Sequence, residues 1–172
     1  MTHTLASFAA AIRHILQTQN DASSREKAAL LLREALQDHA FLATLFGEDT
    51  PERRVVYEDP QLGFCILVHQ YSGAGDSPPH DHGPSWAIYG QAEGETVMTD
   101  WDIDGTPAGT QPPGTPAFVR KLRAYPLSPG LAHVYNEGAI HSPHRTGPTK
   151  LVRIEGTDLA RVKRGKYTPT AE

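Results

Sequence analysis

Three histidines carry the clearest chemical signal in this chain. In Pro79-His80-Asp81-His82-Gly83 two imidazoles stand at i and i+2. On a β-strand those positions share a face, so both rings can reach one ion, while Asp81 points the other way. With nine histidines in the chain, an H-x-H pair alone is weak evidence. Farther on, the run from Gly130 to His141 reads as a strand, a tight turn at Asn136-Glu137-Gly138 and then a histidine, and this raises its weight. His133, preceded by Pro129-Gly130, competes for the role of third ligand. Three neutral imidazoles suit iron, nickel, zinc or copper.

The elements that must place these residues change character near residue 50. Leu5, Phe8, Ile12, Ile15 and Leu16 recur at helical spacing. Ser23-Ser24-Arg25-Glu26 has the capping-box pattern, with Ser23 as N-cap, ahead of the helix-forming Ala28 to Leu36. A third short helix is expected over Phe41 to Phe46, stopped by Gly47 and Pro51. From Pro51 onward fall all 14 prolines, and the apolar runs become short. Strands are predicted at Arg54–Tyr57, Phe64–Gln70, Trp86–Gln91, Thr96–Trp101, Ala117–Leu127, Leu131–Tyr135 and Lys150–Glu155. Thr106 to Pro116 reads as a surface loop. Many short strands at this spacing mean a sandwich, jelly roll or barrel. The expected organisation is one domain over 1–172: a helical layer over 1–50, a barrel over 51–160 and a tail over 161–172.

Composition narrows the function classes. The 172 residues are 38% hydrophobic and 21% charged, ordinary for a globular protein. A formal net charge of −4 gives no reason to expect a nucleic-acid partner. No stretch approaches the roughly 20 apolar residues that cross a bilayer, so no membrane partner is expected. No signal peptide is visible, and a single cysteine, Cys65, excludes an internal disulfide. A cytoplasmic location is the expectation, and a homodimer stays open.

The histidines and their flanking glycines resemble the cupin superfamily. Its first motif, G(X)5HXH(X)3,4E(X)6G, matches at His80, His82 and Gly94, with the leading glycine displaced to Gly73 or Gly75. Its second, G(X)5PXG(X)2H(X)3N, matches at Gly130, Gly138 and His141, with Asn136 for the proline and Arg145 for the final asparagine. Only His141, not His133, gives the full spacing. The resemblance implies a double-stranded β-helix, a jelly-roll barrel. The motif's glutamate is missing, since its slot holds Trp86 or Ala87. That leaves three histidine ligands and open coordination positions.

Among three-histidine cupins the chain looks most like the cysteine dioxygenase family of thiol dioxygenases, from about Arg53 to Glu155. The resemblance implies that His80, His82 and His141 hold Fe(II), with zinc, nickel or another divalent ion possible as purified. Substrates would be dioxygen and a small thiol or other acid-bearing molecule, and a thiol would leave as a sulfinic acid. It further implies that Arg54 clamps a substrate carboxylate, a task that suits the guanidinium fork. The family's cysteine and tyrosine positions fall at Ala87 and Glu155, and a nearby histidine becomes Arg153. Arg153 and Glu155 share a strand face opposite Val152 and Ile154. They either look into the barrel, where Arg153 binds an acidic group or is held by Glu155 to do so, or form an outward pair. Trp86, four residues past His82, is expected to line the pocket. Tyr135, His133 and Glu155 are expected to support the site. Diketone-cleaving dioxygenases and a non-catalytic, ligand-binding cupin are the competing readings.

Overall fold

A computed structural model describes residues 3–104 and 117–170, so the loop expected at 106–116 lies outside the described residues. Three helices come first: α1 (Leu5–Thr18), α2 (Ala22–Ala35) and α3 (His39–Leu45). Ten strands follow among the described residues: β1 (Arg54–Glu58), β2 (Cys65–Tyr71), β3 (Gly75–Asp76), β4 (Ala87–Glu93), β5 (Thr96–Ile103), β6 (Ala117–Leu127), β7 (Ala132–Tyr135), β8 (Ile140–Arg145), β9 (Thr149–Glu155) and β10 (Tyr167–Pro169).

Helix α2 starts earlier than the capping box suggests. Asp21 is its N-cap and its carboxylate accepts from Ser24 N, which leaves Ser23 inside the first turn. A charged acceptor three residues ahead of a free N–H outcompetes the serine hydroxyl. Asp38 caps α3 in the same way, accepting from Phe41 N. The 161–172 segment is more than a tail, because β10 pairs in parallel with β6.

The strands form two five-stranded sheets, ordered β1-β2-β9-β4-β7 and β10-β6-β5-β8-β3. From β2 to β9 the chain crosses between the sheets at every step but one, the β5–β6 hairpin within the second sheet, so that β2-β9-β4-β7 faces β3-β8-β5-β6. That order is the double Greek key of a jelly roll. β10 and β1 extend the edges. The result is a mainly β, cupin-like fold.

The first sheet is covered on both faces, which explains why its strands read as apolar runs rather than alternating ones. Its outer face carries Ile66, Val68, Ile88, Val152 and Ile154, packed under Phe8, Ile12, Ala28, Leu32 and Phe41 of the helices. Its inner face carries Ala87, Tyr89 and Tyr135, which meet Met98 and Leu127 inside the barrel. Gly90 sets the distance of α2: a Cβ there would lie 2.7 Å from Leu32 Cδ2. Gly90→Val is therefore expected to cost about 1–3 kcal/mol by overpacking, seen as a lower denaturation midpoint with unchanged slope in urea.

Arg25 ties α2 to the turn before β8. Its guanidinium lies 5.2 Å from the Trp86 ring centroid and donates to Asn136 Oδ1 (2.9 Å) and to both Glu137 carboxylate oxygens (2.6 and 2.7 Å). The helical layer thus holds the loop that launches His141.

Candidate metal centre

His141 is the second residue of β8 and points into the barrel. Its backbone faces that of His80 in an isolated bridge, each N–H reaching the other's carbonyl at 3.0 Å. His80 and His82 are not on a continuous strand, as the H-x-H spacing suggested, but in the irregular segment between β3 and β4. Their rings still converge. Centroids are 4.6 Å apart for His80 and His141, 4.7 Å for His82 and His141 and 5.9 Å for His80 and His82. One nitrogen from each of the three lies within 4.8 Å of the others.

Asp81 turns away, as its place between them requires. Its carboxylate accepts from Gly83 N, Gly165 N and the Tyr167 hydroxyl, pinning the C-terminal segment beside the site. Asp81→Ala is expected to loosen that segment: losing bonds to a buried carboxylate, about 1–3 kcal/mol, raises its open population about 5–150-fold. Faster tryptic cleavage at Lys163 to Lys166 would show it.

The hydrogen bonds set the imidazoles for a cation. His80 Nδ1 lies 2.9 Å from the Pro78 carbonyl, and His141 Nδ1 lies 3.1 Å from that of Ala139. A carbonyl only accepts, so in both rings Nδ1 carries the proton and Nε2 keeps its lone pair. The buried Nδ1 of His82 has no partner. Burial first, then Arg164 and Arg153 nearby, pushes His80 down to about 4 despite its bond to Pro78. Burial, His80 and Arg153 bring His82 to about 3, and burial lowers His141 as well. All three are neutral at neutral pH, the form that ligates. Three imidazoles with no carboxylate favour iron, nickel, zinc or copper over magnesium or calcium. These residues fit a metal ion.

Two tyrosines frame the cluster. The buried Tyr89 hydroxyl lies 3.0 Å from His82 Nε2 and 3.3 Å from His141 Nε2. Tyr135 stacks on His141, with ring centroids 4.0 Å apart, and its hydroxyl meets that of Tyr125 at 2.9 Å. His133 packs against Tyr125 and Tyr135, behind the cluster rather than in it.

A cavity of about 360 Å³ opens beside His80, the most exposed of the three histidines. Arg53, Arg145, Arg153 and Arg164 line it, with His69, Tyr71 and Glu155. A larger cavity, about 940 Å³, lies among the helices around Phe8, Leu31 and Asp38, and none of the three histidines lines it.

Arg153 and Glu155 both line the cavity by His80, while Val152 and Ile154 face the helices. Glu155 pairs with Arg53 at 3.2 Å, not with Arg153, whose guanidinium carbon lies 3.7 Å from the Tyr89 ring centroid. Arg54 does not reach the site. It points outward and donates to the Leu45 carbonyl at 2.6 Å, while its neighbour Arg53 takes the cavity side. Trp86 is also away from the cavity, 3% exposed in the core beneath the helices. The reason is the same in both cases: adjacent residues on an extended chain face opposite ways. Tyr89 and Arg145 are the functional candidates that sequence reasoning undervalued. The i, i+2, i+4 row His141, Pro143, Arg145 would have marked Arg145, had β8 been recognised as a strand.

No family model and no curated protein matches the chain. Among solved structures it is similar to a cupin superfamily protein from Desulfitobacterium hafniense, at 15% identity over 68% of this chain and 88% of that one, TM-score 0.46. KdgF from Halomonas sp. is 18% identical over 63% of this chain and 82% of its own, TM-score 0.41. An oxalate oxidase bound to glycolate, a substrate analogue, is 17% identical over 67% of this chain and 57% of its own, TM-score 0.44. Likeness this distant carries no functional argument. The chain's own strand order and histidine cluster define its class, a cupin-like barrel with a three-histidine group able to hold a metal.

Proposed function

We propose that this chain is an Fe(II)-dependent dioxygenase that oxidises a small acid-bearing substrate, a thiol in the first instance. One observation carries the reading: three neutral imidazoles, with no carboxylate among them, converge beside a small cavity lined by arginines. Bound iron would supply redox chemistry and adjacent vacant positions, through which a thiol takes up both atoms of dioxygen as a sulfinic acid.

The protein's own residues bind and orient. His80, His82 and His141 hold the ion, and Tyr135 fixes the His141 ring by stacking on it. Arg153, flat on Tyr89, keeps its N–H edge free for a substrate acid group. The Tyr89 hydroxyl stands beside the two histidine Nε2 atoms, where it can donate to a reacting group. Cys65 takes no part: it is fully buried on β2, and burial pushes its thiol up to about 11.

The test is oxygen consumption by the anaerobically iron-loaded chain against small thiols and diketones, beside His82→Ala. Thiol-dependent uptake that the variant lacks is the expected result. Uptake with diketones alone would replace the thiol by that class. No uptake at full iron loading would leave a ligand-binding cupin.

A further inference from the structure

Charge is unevenly matched around the cavity beside His80. Of the four arginines that line it, Arg53 is spoken for, 3.2 Å from Glu155 and 2.5 Å from Asp158. Arg145, Arg153 and Arg164 make no ion pair among the described residues, and Glu155 is the one carboxylate in the lining.

Two of these three are built in rather than left on the surface. Arg145 is 9% exposed, and its guanidinium carbon lies 3.7 Å from the Tyr71 ring centroid. Arg153 repeats the arrangement on Tyr89, also at 3.7 Å. The Nε atoms of both are buried and have no hydrogen-bond partner. Gly75 keeps the space open for Arg145, since a Cβ there would lie 2.6 Å from its Nη2. The two guanidiniums come from opposite sheets, Arg145 from β8 and Arg153 from β9.

A guanidinium stacked on an aromatic face has its charge partly stabilised and its N–H edge left for a planar anion. Two such cations without counter-charge, Arg145 buried and Arg153 half-buried, each with a buried and unpartnered Nε, are costly on their own, and a ligand anion on each removes the imbalance. A single carboxylate satisfies one of them. We infer that the cavity takes a small dianion, a molecule with an acid group at each of two ends, one on Arg153 and the other on Arg145. Its middle carbons then lie along the cavity that His80 borders. This rests on the proposed function for the reaction, and it names the substrate class of the same site.

The test needs no turnover. The full chain, loaded with redox-inert zinc, is titrated calorimetrically with malonate, succinate and glutarate, and with acetate, propionate and butyrate. A second charge-assisted contact should make at least one diacid bind about tenfold or more tighter than its monoacid counterpart. Arg145→Met should remove that preference and leave zinc content unchanged, because Arg145 is not among the ligating residues. Diacids and monoacids binding within about threefold of each other, well under one such contact, would overturn the inference, as would a preference that survives in Arg145→Met. No binding of any diacid would do the same. A chain that prefers diacids but consumes no oxygen with any substrate defeats the dioxygenase reading instead, so the two failures are distinguishable.

Discussion

His141→Ala is expected to empty the candidate metal centre. His141 is fully buried, bridges backbone to backbone with His80 and has its tautomer set by the Ala139 carbonyl. Removing only the outer partner of a metal-bound histidine costs about 10–100-fold in affinity. Removing the ligand itself should cost more, leaving two imidazoles and a void between Tyr89 and Tyr135. Metal content by elemental analysis after dialysis should fall from about one ion per chain toward zero. The helix–sheet core is separate from this cluster, so a cooperative unfolding transition should persist. Retention of a full equivalent of metal would place the ion elsewhere.

Arg153→Met should separate substrate binding from metal binding. Methionine keeps most of the bulk above Tyr89 while deleting the charge. A hydrogen bond to a charged group contributes about 1.5–3 kcal/mol, so KM for an acid-bearing substrate should rise roughly 10–100-fold at that exchange rate. Metal content should not change, because Arg153 is not among the ligating atoms. Steady-state oxygen uptake across substrate concentrations reads this directly. An unchanged KM would show that the substrate's acid group binds elsewhere.

Both expectations rest on residues that the amino-acid pattern marks out, though not equally. His80, His82 and His141 are readable because a metal needs several ligands of one chemical kind, and flanking glycines mark the turns that bring them together. Gly94 and Gly138 do adopt positive φ, 68° and 75°, which favours glycine. The helical stripe is equally plain: Phe8, Ile12 and Leu16 are all buried, at the spacing that one helix face demands.

Parity is where the pattern misleads. Arg54 misses the cavity by one residue, its place taken by Arg53, and Trp86 faces the helices while its neighbour Ala87 faces the barrel interior. The period of a strand is two, so an error of one inverts every side chain. In β2 and β4 little alternation is available to correct it, because helices cover the outer face and Cys65, Leu67, Ala87 and Tyr89 leave much of the inner face apolar as well. β8 escapes detection for a related reason. Ile140–Arg145 contains two histidines, a serine, a proline and an arginine, a polar strand whose inner face belongs to the site rather than to a core.

Residue type and local period were enough to mark the three histidines, the lack of a carboxylate among them and the helical layer ahead of a β barrel. Short-range physics controls both. That Glu155 pairs with Arg53, that Arg153 rests on Tyr89 and that Arg145 from the opposite sheet shares a cavity with it emerge from the folded arrangement. Partnerships between strands distant in the chain depend on sheet order and facing, and no local pattern encodes which buried charge will meet which.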